Sequence, residues 1–274
     1  IKRNQFKILS ISRFKKKNKI DLKWIKTDFG RLNKKAINQI KIFKPTVVIH
    51  LGWQDIPNFS LKTSRLNLKK SKLFLNNIFK IKSVKKIIIT GTCGEYLMKH
   101  GKAKEDTSLL DTKNFFSKSK IDLYNFAKKK SEKKNINFYW LRLFYVYGPN
   151  QRAESLVPYL FEKIYNNFNF NLNNPQKNLD FINVHDVVKI IELFIIKNFN
   201  TGIYNVGTGK KLSVAEIYNH LTFKILKRNF KKLKISKKDY FISDNKKLKK
   251  IIPNYNFMSL NKGLEGYFNW YLRN

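Results

Sequence analysis

The chain has 274 residues, 42% of them hydrophobic and 15% aromatic, enough apolar mass for one large domain or a domain with a smaller lobe; wholesale disorder is excluded. Its single cysteine, Cys93, excludes an internal disulfide and suits a reducing compartment. The net charge is +39, but the lysines are spread along the chain and no helix-turn-helix, zinc-finger or RNA-recognition pattern accompanies them, so a specific nucleic-acid role is not expected.

Lysine, asparagine, isoleucine, phenylalanine and tyrosine all have AT-rich codons, and biased base composition alone produces such a charge. The apolar stretch from Val187 to Phe199 is broken by Lys189, Glu192 and Lys197, too short and too charged to span a bilayer. The opening residues carry no apolar signal region, so a cytoplasmic, soluble protein without a membrane partner is expected.

In chain order, Phe6 to Ile11 reads as a strand followed by a basic turn. Lys34 to Phe43 reads as a helix and Pro45 to Leu51 as a buried strand. Leu66 to Ile81 carries Leu68, Leu73, Leu75, Ile78 and Phe79 at helical spacing, and Lys86 to Thr90 reads as the next strand. A helix is expected from about Ser117 to Ser131, then a strand from Phe138 to Val146. Asp180 to Val184 reads as extended, leading into a helix after Asp186. Leu156 to Tyr165 and Ser213 to Leu226 read as helices, 168–175 as a polar connection, and the tail from Asp244 as short and irregular. Repeated strand–helix units predict a doubly wound parallel α/β sheet whose ligand lies beyond the strand C-termini. The expected division is a dinucleotide-binding domain over 1–148, with 180–206 returning to the sheet, and a small substrate lobe from 149–179 and 207–274.

Six motifs stand in order: Asp28-Phe29, Val47 to Trp53, Ile89 to Tyr96, Arg142 to Pro149, Asp180 to Val187 and Gly202 to Gly209. Together they resemble the extended short-chain dehydrogenase/reductase family, the NAD-dependent epimerase/dehydratase group, over nearly the whole chain. The resemblance implies an NAD(P)-dependent nucleotide-sugar epimerase or reductase acting at C4 of a 4-keto-6-deoxy sugar. It assigns Asp28 and Phe29 to adenine, Leu51, Gly52, Trp53 and Phe144 to the cofactor, and Cys93, Glu95, Tyr96, Tyr145 and Gln151 to the substrate. Thr92 takes the place of the catalytic Ser/Thr and Lys120 that of the lysine that holds the nicotinamide ribose. Ser12 and Arg13, at the end of the second family strand, favour NADP over NAD. Homodimerisation through 66–81 and 117–131 is expected by the same analogy.

The chain departs from the pattern in two places. Four residues before Lys120 stands Phe116 where the family has its catalytic tyrosine, and phenylalanine has no proton to move. The substitution marks a redox-inactive, nucleotide-binding relative, a misread base, or a reaction served instead by Tyr124 or Tyr96. No glycine precedes Gly30, so the phosphate-binding glycine turn is missing. The first four residues read as the end of a helix, a strand is expected upstream, and its loss would open a gap in the sheet. His50, His100, His185 and His220 are scattered without metal-ligand spacing, and Cys93 lacks a histidine partner for nucleophilic work.

Overall fold

The computed structural model describes residues 6–14 and 23–273. The expected helix end at residues 1–4 and the basic turn beyond Phe14 lie outside these residues. Along the chain run β1 (Leu9–Ser12), β2 (Lys23–Lys26), α1 (Lys34–Phe43), β3 (Val47–His50), α2 (Leu61–Ile78), β4 (Lys86–Thr92) and β5 (Gly101–Ala103). There follow α3 (Phe115–Lys133), β6 (Asn137–Leu143), β7 (Tyr145–Tyr147), α4 (Leu156–Tyr165), β8 (Asn178–Leu179), β9 (Phe181–Asn183) and α5 (Val184–Ile196). The chain ends through β10 (Gly202–Val206), β11 (Leu212–Ser213), α6 (Val214–Asn219), β12 (Tyr240–Ser243), α7 (Lys246–Ile251) and α8 (Leu260–Tyr271). Among the described residues no helix is long and apolar enough to cross a membrane.

Packing divides the chain into two compact units, the first made of 1–95, 110–141 and 191–203, the second of 96–109, 142–190 and 204–274. The division differs from the expected one in giving 96–109, 142–148 and 180–190 to the second unit.

In the first unit β1 pairs in parallel with β2, and a separate sheet has the order β10-β6-β4-β3. No ladder joins β1 to β3 among the described residues. Both sheets nevertheless pack into one core, in which Ile25, Val48, Leu75, Ile78, Ile87, Ile89, Leu123 and Trp140 are buried. The helices start where side chains cap them: Asn33, Ser60 and Asn114 accept from the backbone amides of Ala36, Thr63 and Ser117. Lys86 opens β4 with its ammonium buried, donating to the carbonyls of Phe194, Ile195 and Lys197 at 2.7–2.9 Å. It thus satisfies its three hydrogens on the open carbonyls ending α5, where the helix dipole also favours a cation.

In the second unit β7 pairs in parallel with β9, and a four-stranded sheet has the order β11-β8-β12-β5. The single strand expected over 138–146 is broken at Phe144. Its amide bonds to Val206 O at 3.1 Å while the next amide, of Tyr145, bonds to Asp180 O at 3.1 Å, so adjoining residues change partners. The helix expected to 226 opens after Asn219 into a wider turn, closed by Leu226 N donating to Leu221 O at 2.8 Å. The tail from Asp244 is not irregular as expected: it forms α7 and α8, and α8 is capped by Ser259 and buries Leu264 and Tyr267 against Phe161 and Leu221. Gly263 is required there, because a Cβ would fall on the hydroxyl of Tyr147.

Candidate functional site

The sequence-nominated residues of the first unit gather at the C-terminal ends of β1, β3 and β4 and on the first turns of α3. At the end of β1, Ser12 Oγ donates to Phe14 O at 2.7 Å and the exposed guanidinium of Arg13 lies 5.5 Å from the Phe14 ring. Just after β2, Asp28 accepts from Gly30 N at 2.8 Å and from Lys70 Nζ at 2.6 Å. Burial pushes the Asp28 carboxyl up but the Lys70 bond, the Gly30 amide and the lysine charge outweigh it, holding the pKa below the usual value. Lys70 also donates to Gln54 Oε1 at 2.7 Å, and its stem lies where a Cβ on Gly30 would stand. No local motif marks Lys70 or Gln54, which come from 42 and 26 residues further along.

Beyond β3 the chain runs through exposed Leu51 to Gly52, where a Cβ would stand 2.9 Å from the Phe29 ring. His50 stacks on Phe74, with its Nε2 2.9 Å from Ser71 Oγ. Burial, with the nearby Lys120 charge, drives the His50 pKa down to about 3, so its ring is neutral and takes no part as an acid near neutrality. Trp53 follows, half-buried, with the Lys120 ammonium 4.2 Å from its ring centroid.

At the end of β4, Thr92 is half-buried and its Oγ1 accepts from Gly94 N at 3.1 Å. Cys93 is buried. Glu95 is wholly buried, accepting from Thr92 N at 2.9 Å and from Trp140 Nε1 at 3.0 and 3.1 Å. Its carboxylate therefore faces inward and fixes the Thr92 backbone, a role the local motif did not announce. Gly91 makes room for this pair: a Cβ there would fall on Trp140 Nε1 and Glu95 Oε1. Ser117 Oγ donates to Gly94 O at 2.7 Å, tying α3 to the same turn.

Phe116 and Lys120 lie one turn apart on α3, on the same face. Lys120 Nζ donates to Thr90 O at 3.0 Å. Phe116 packs edge-on to Trp53, centroids 5.5 Å apart, and 4.6 Å from the Phe59 ring. The residues proposed to stand in for the tyrosine are engaged elsewhere. Tyr124 packs against Phe138 and Trp140 in the first unit's core. Tyr96 is wholly buried in the second unit, donates to Asn205 Oδ1 at 2.6 Å, and has its pKa pushed up to about 12 by burial.

Burial drives the Lys120 pKa down to about 8, with the Glu95 charge opposing. In the unfolded chain a lysine titrates near 10.4. Below pH 8 both states are charged and the burial penalty is fully present; between about 8 and 10.4 only the folded state loses its proton, so the penalty is relieved and stability rises with pH. Lys120→Met should lack that rise. Urea unfolding of both proteins at pH 7.5, 9 and 10 checks it, and pH curves that stay parallel would count against a charged, buried Lys120.

In the second unit Phe144 is buried with its ring 5.8 Å from Phe241 and 6.5 Å from Tyr96. Tyr145 is half-buried against Phe181, and Gln151 Nε2 donates to Val146 O at 3.0 Å. The guanidinium of buried Arg142 lies 4.5 Å from the Tyr96 ring. Among the described residues no group of three or more His, Cys, Asp or Glu could hold a metal ion.

Comparison with known proteins matches the model of the NAD dependent epimerase/dehydratase family to residues 1–207. CDP-abequose synthase of Salmonella muenchen is 34% identical over 89 residues, 32% of this chain and 30% of that protein. ADP-L-glycero-D-manno-heptose-6-epimerase of Brachyspira hyodysenteriae is 31% identical over 169 residues, 56% of this chain and 52% of that protein. The matched segments thus span about half or less of these relatives. Among solved structures, UDP-glucose 4-epimerase of Thermotoga maritima, with UDP-glucose, superimposes with a TM-score of 0.82 at 19% identity, covering 98% of this chain and 92% of that one. UDP-glucuronic acid 4-epimerase of Bacillus cereus, in complex with NAD, gives 0.82 at 18% identity over 97% and 90%. At such identities these structures establish the Rossmann-type fold alone.

Proposed function

The chain belongs to the NAD dependent epimerase/dehydratase family, and from that membership we propose an NAD(P)-dependent enzyme that epimerises or reduces a nucleotide sugar at C4, its substrate class a 4-keto-6-deoxy sugar nucleotide and its turnover held low by Phe116. The observation that carries this reading is the meeting of Thr92 and Lys120: the Lys120 ammonium reaches the carbonyl of Thr90, two residues before the hydroxyl of Thr92, in one unit. The UDP-glucose and NAD held by the two structural neighbours support the same ligand classes.

The residues present fit the adenine and ribose ends of a dinucleotide, while none of them supplies the glycine turn that would hold its pyrophosphate. The Asp28 carboxylate, 19% exposed, would accept from the adenine amino group. Lys120 is 7% exposed and has ammonium hydrogens beyond the one given to Thr90 O, which suits the oxygen-rich ribose. Arg13, exposed just after β1, would receive a 2′-phosphate, a chemistry that supports NADP. Bound there, NAD(P) supplies the hydride acceptor or donor. Thr92 Oγ1 accepts from Gly94 N, which leaves its own proton to donate to the sugar C4 oxygen. Glu95 holds Thr92 in place from behind. Tyr145 and Gln151 are assigned to the sugar nucleotide. The proton at C4 has no carrier at position 116.

That last point favours a second reading, a nucleotide-sugar or dinucleotide-binding protein without redox turnover, because the Phe116 ring is packed against Trp53 and Phe59. Titration of NADPH into the full chain, followed by a 4-keto nucleotide sugar, separates the two. Binding with slow NADPH oxidation supports the enzyme; binding with none supports the second reading. A homodimer through α2 and α3 belongs to the same proposal, with Leu66 and Leu73 42% and 45% exposed on α2; sedimentation equilibrium tests it, and a monomer at high concentration would refute it.

A further inference from the structure

The Lys120 ammonium is under-satisfied for a buried cation. It is 7% exposed, carries three hydrogens, and has one oxygen partner among the described residues, Thr90 O at 3.0 Å. Its remaining coordination is the face of Trp53, whose centroid is 4.2 Å away. A cation held so is stabilised by the ring quadrupole, and more strongly where water is excluded. Trp53 lies on no helix or strand but on the connection between β3 and α2, and it is only half-buried. Phe116 meets it edge-on at 81°, and Phe59, 42% exposed, lies with its ring 4.6 Å from that of Phe116. The three rings and the ammonium form one cluster.

We infer that Trp53 is a latch: its indole occupies the open face of the Lys120 ammonium and is displaced when the hydroxyl-bearing ring of a ligand takes that face, so that Trp53 sets how strongly the nicotinamide half of a dinucleotide is bound. A hydroxyl oxygen must come within about 3 Å of Nζ, and the indole now stands in that direction. Displacement replaces a ring contact by hydrogen bonds from a charged donor, and the difference sets the affinity. The adenine end, at Asp28, is untouched by the exchange, since Asp28 is held by Lys70 and Gly30 and not by Trp53. The inference rests on the reading that the site takes a dinucleotide, and it adds which residue opposes one half of it.

The test titrates NADPH and, separately, ADP into the full chain as wild type and as Trp53→Ala, by calorimetry, with ¹⁵N spectra of the indole amides alongside. Trp53→Phe identifies the Trp53 indole signal among the four tryptophans. The expected result is NADPH bound about 5- to 30-fold more tightly by Trp53→Ala, the span of a partly to fully desolvated cation–π contact, with ADP affinity unchanged. In the wild type the Trp53 indole signal should move with NADPH and stay with ADP; should Trp53→Ala fail to fold, this shift decides alone. NADPH binding that is equal or weaker in Trp53→Ala, or an indole signal that NADPH leaves in place, overturns the latch while the dinucleotide reading stands. A folded wild type that binds neither nucleotide overturns both.

Discussion

Phe116→Tyr is expected to raise the NADPH-dependent turnover of a 4-keto nucleotide sugar by about 10²- to 10⁴-fold, the range that a positioned proton donor or acceptor contributes. Residues 116 and 120 are neighbours on one face of α3, so a phenol at 116 stands beside the Lys120 ammonium. That ammonium, charged below a pKa of about 8, lowers the phenol's pKa by Coulomb attraction and brings it toward the working pH. The Thr92 hydroxyl completes the set, with its backbone already fixed by Glu95. The tyrosines present do not already do this work, since Tyr96 is locked on Asn205 and Tyr124 packs in the core. The gain should appear in kcat with little change in NADPH affinity, because the added hydroxyl acts on the transferred proton. A variant that binds NADPH like the wild type and still does not turn over would refute the C4-reductase reading and leave the redox-inactive one. Combining the change with Trp53→Ala adds a gain in affinity to the gain in rate if the two effects are independent.

How much of this was legible in the sequence depends on the length of the signal. α1 and α4 carry apolar residues at helical spacing over their whole length, and their bounds were read correctly. α2 begins five residues earlier than its apolar pattern, because its first turn is polar and is set by the Ser60 cap. β5, β8 and β11 are two or three residues long, too short for any period to show. α8 was missed because Gly263 and Gly266 lower its helix propensity; Gly263 is there to admit the Tyr147 hydroxyl, a tertiary requirement. The site divides in the same way. Asp28, Thr92 and Lys120 stand in local motifs and were nominated. Lys70 on Asp28, Trp140 on Glu95 and Phe59 on Phe116 are pairings across 42, 45 and 57 residues, respectively, and only folding brings them together. Trp53 was nominated for the cofactor, but its contact with Lys120 could not be read from spacing.

The largest loss of stability is expected at Asp180, inside the second unit. Its carboxylate is wholly buried and accepts from Thr208 N and Thr208 Oγ1 at 2.7 Å, from Gly209 N at 2.9 Å, and from Ser243 N and Ser243 Oγ at 3.0 and 2.5 Å. One side chain, on the residue between β8 and β9, thereby joins the turn after β10 to the end of β12. Gly207 belongs to the arrangement, since a Cβ there would stand 2.5 Å from Asp180 Oδ2 and 2.6 Å from Ser243 Oγ. Asp180→Ala removes the acceptor from three backbone amides, of which those of Thr208 and Ser243 are buried, at about 1–3 kcal/mol each. A loss on the order of 4 kcal/mol or more follows, which a domain of ordinary stability survives poorly. Asp180→Asn should do little better, because its NH₂ group turns two further donors toward amides that are themselves donors. Ser243→Ala, which takes away one hydroxyl and leaves the carboxylate, should cost only about 1 kcal/mol. Urea unfolding of the three variants orders them, and the Trp270 signal reports on the second unit separately from Trp24, Trp53 and Trp140 in the first. If Asp180→Ala lost no more than Ser243→Ala, the amides would have found other acceptors, and the carboxylate would not be what holds β9, β12 and the turn after β10 together.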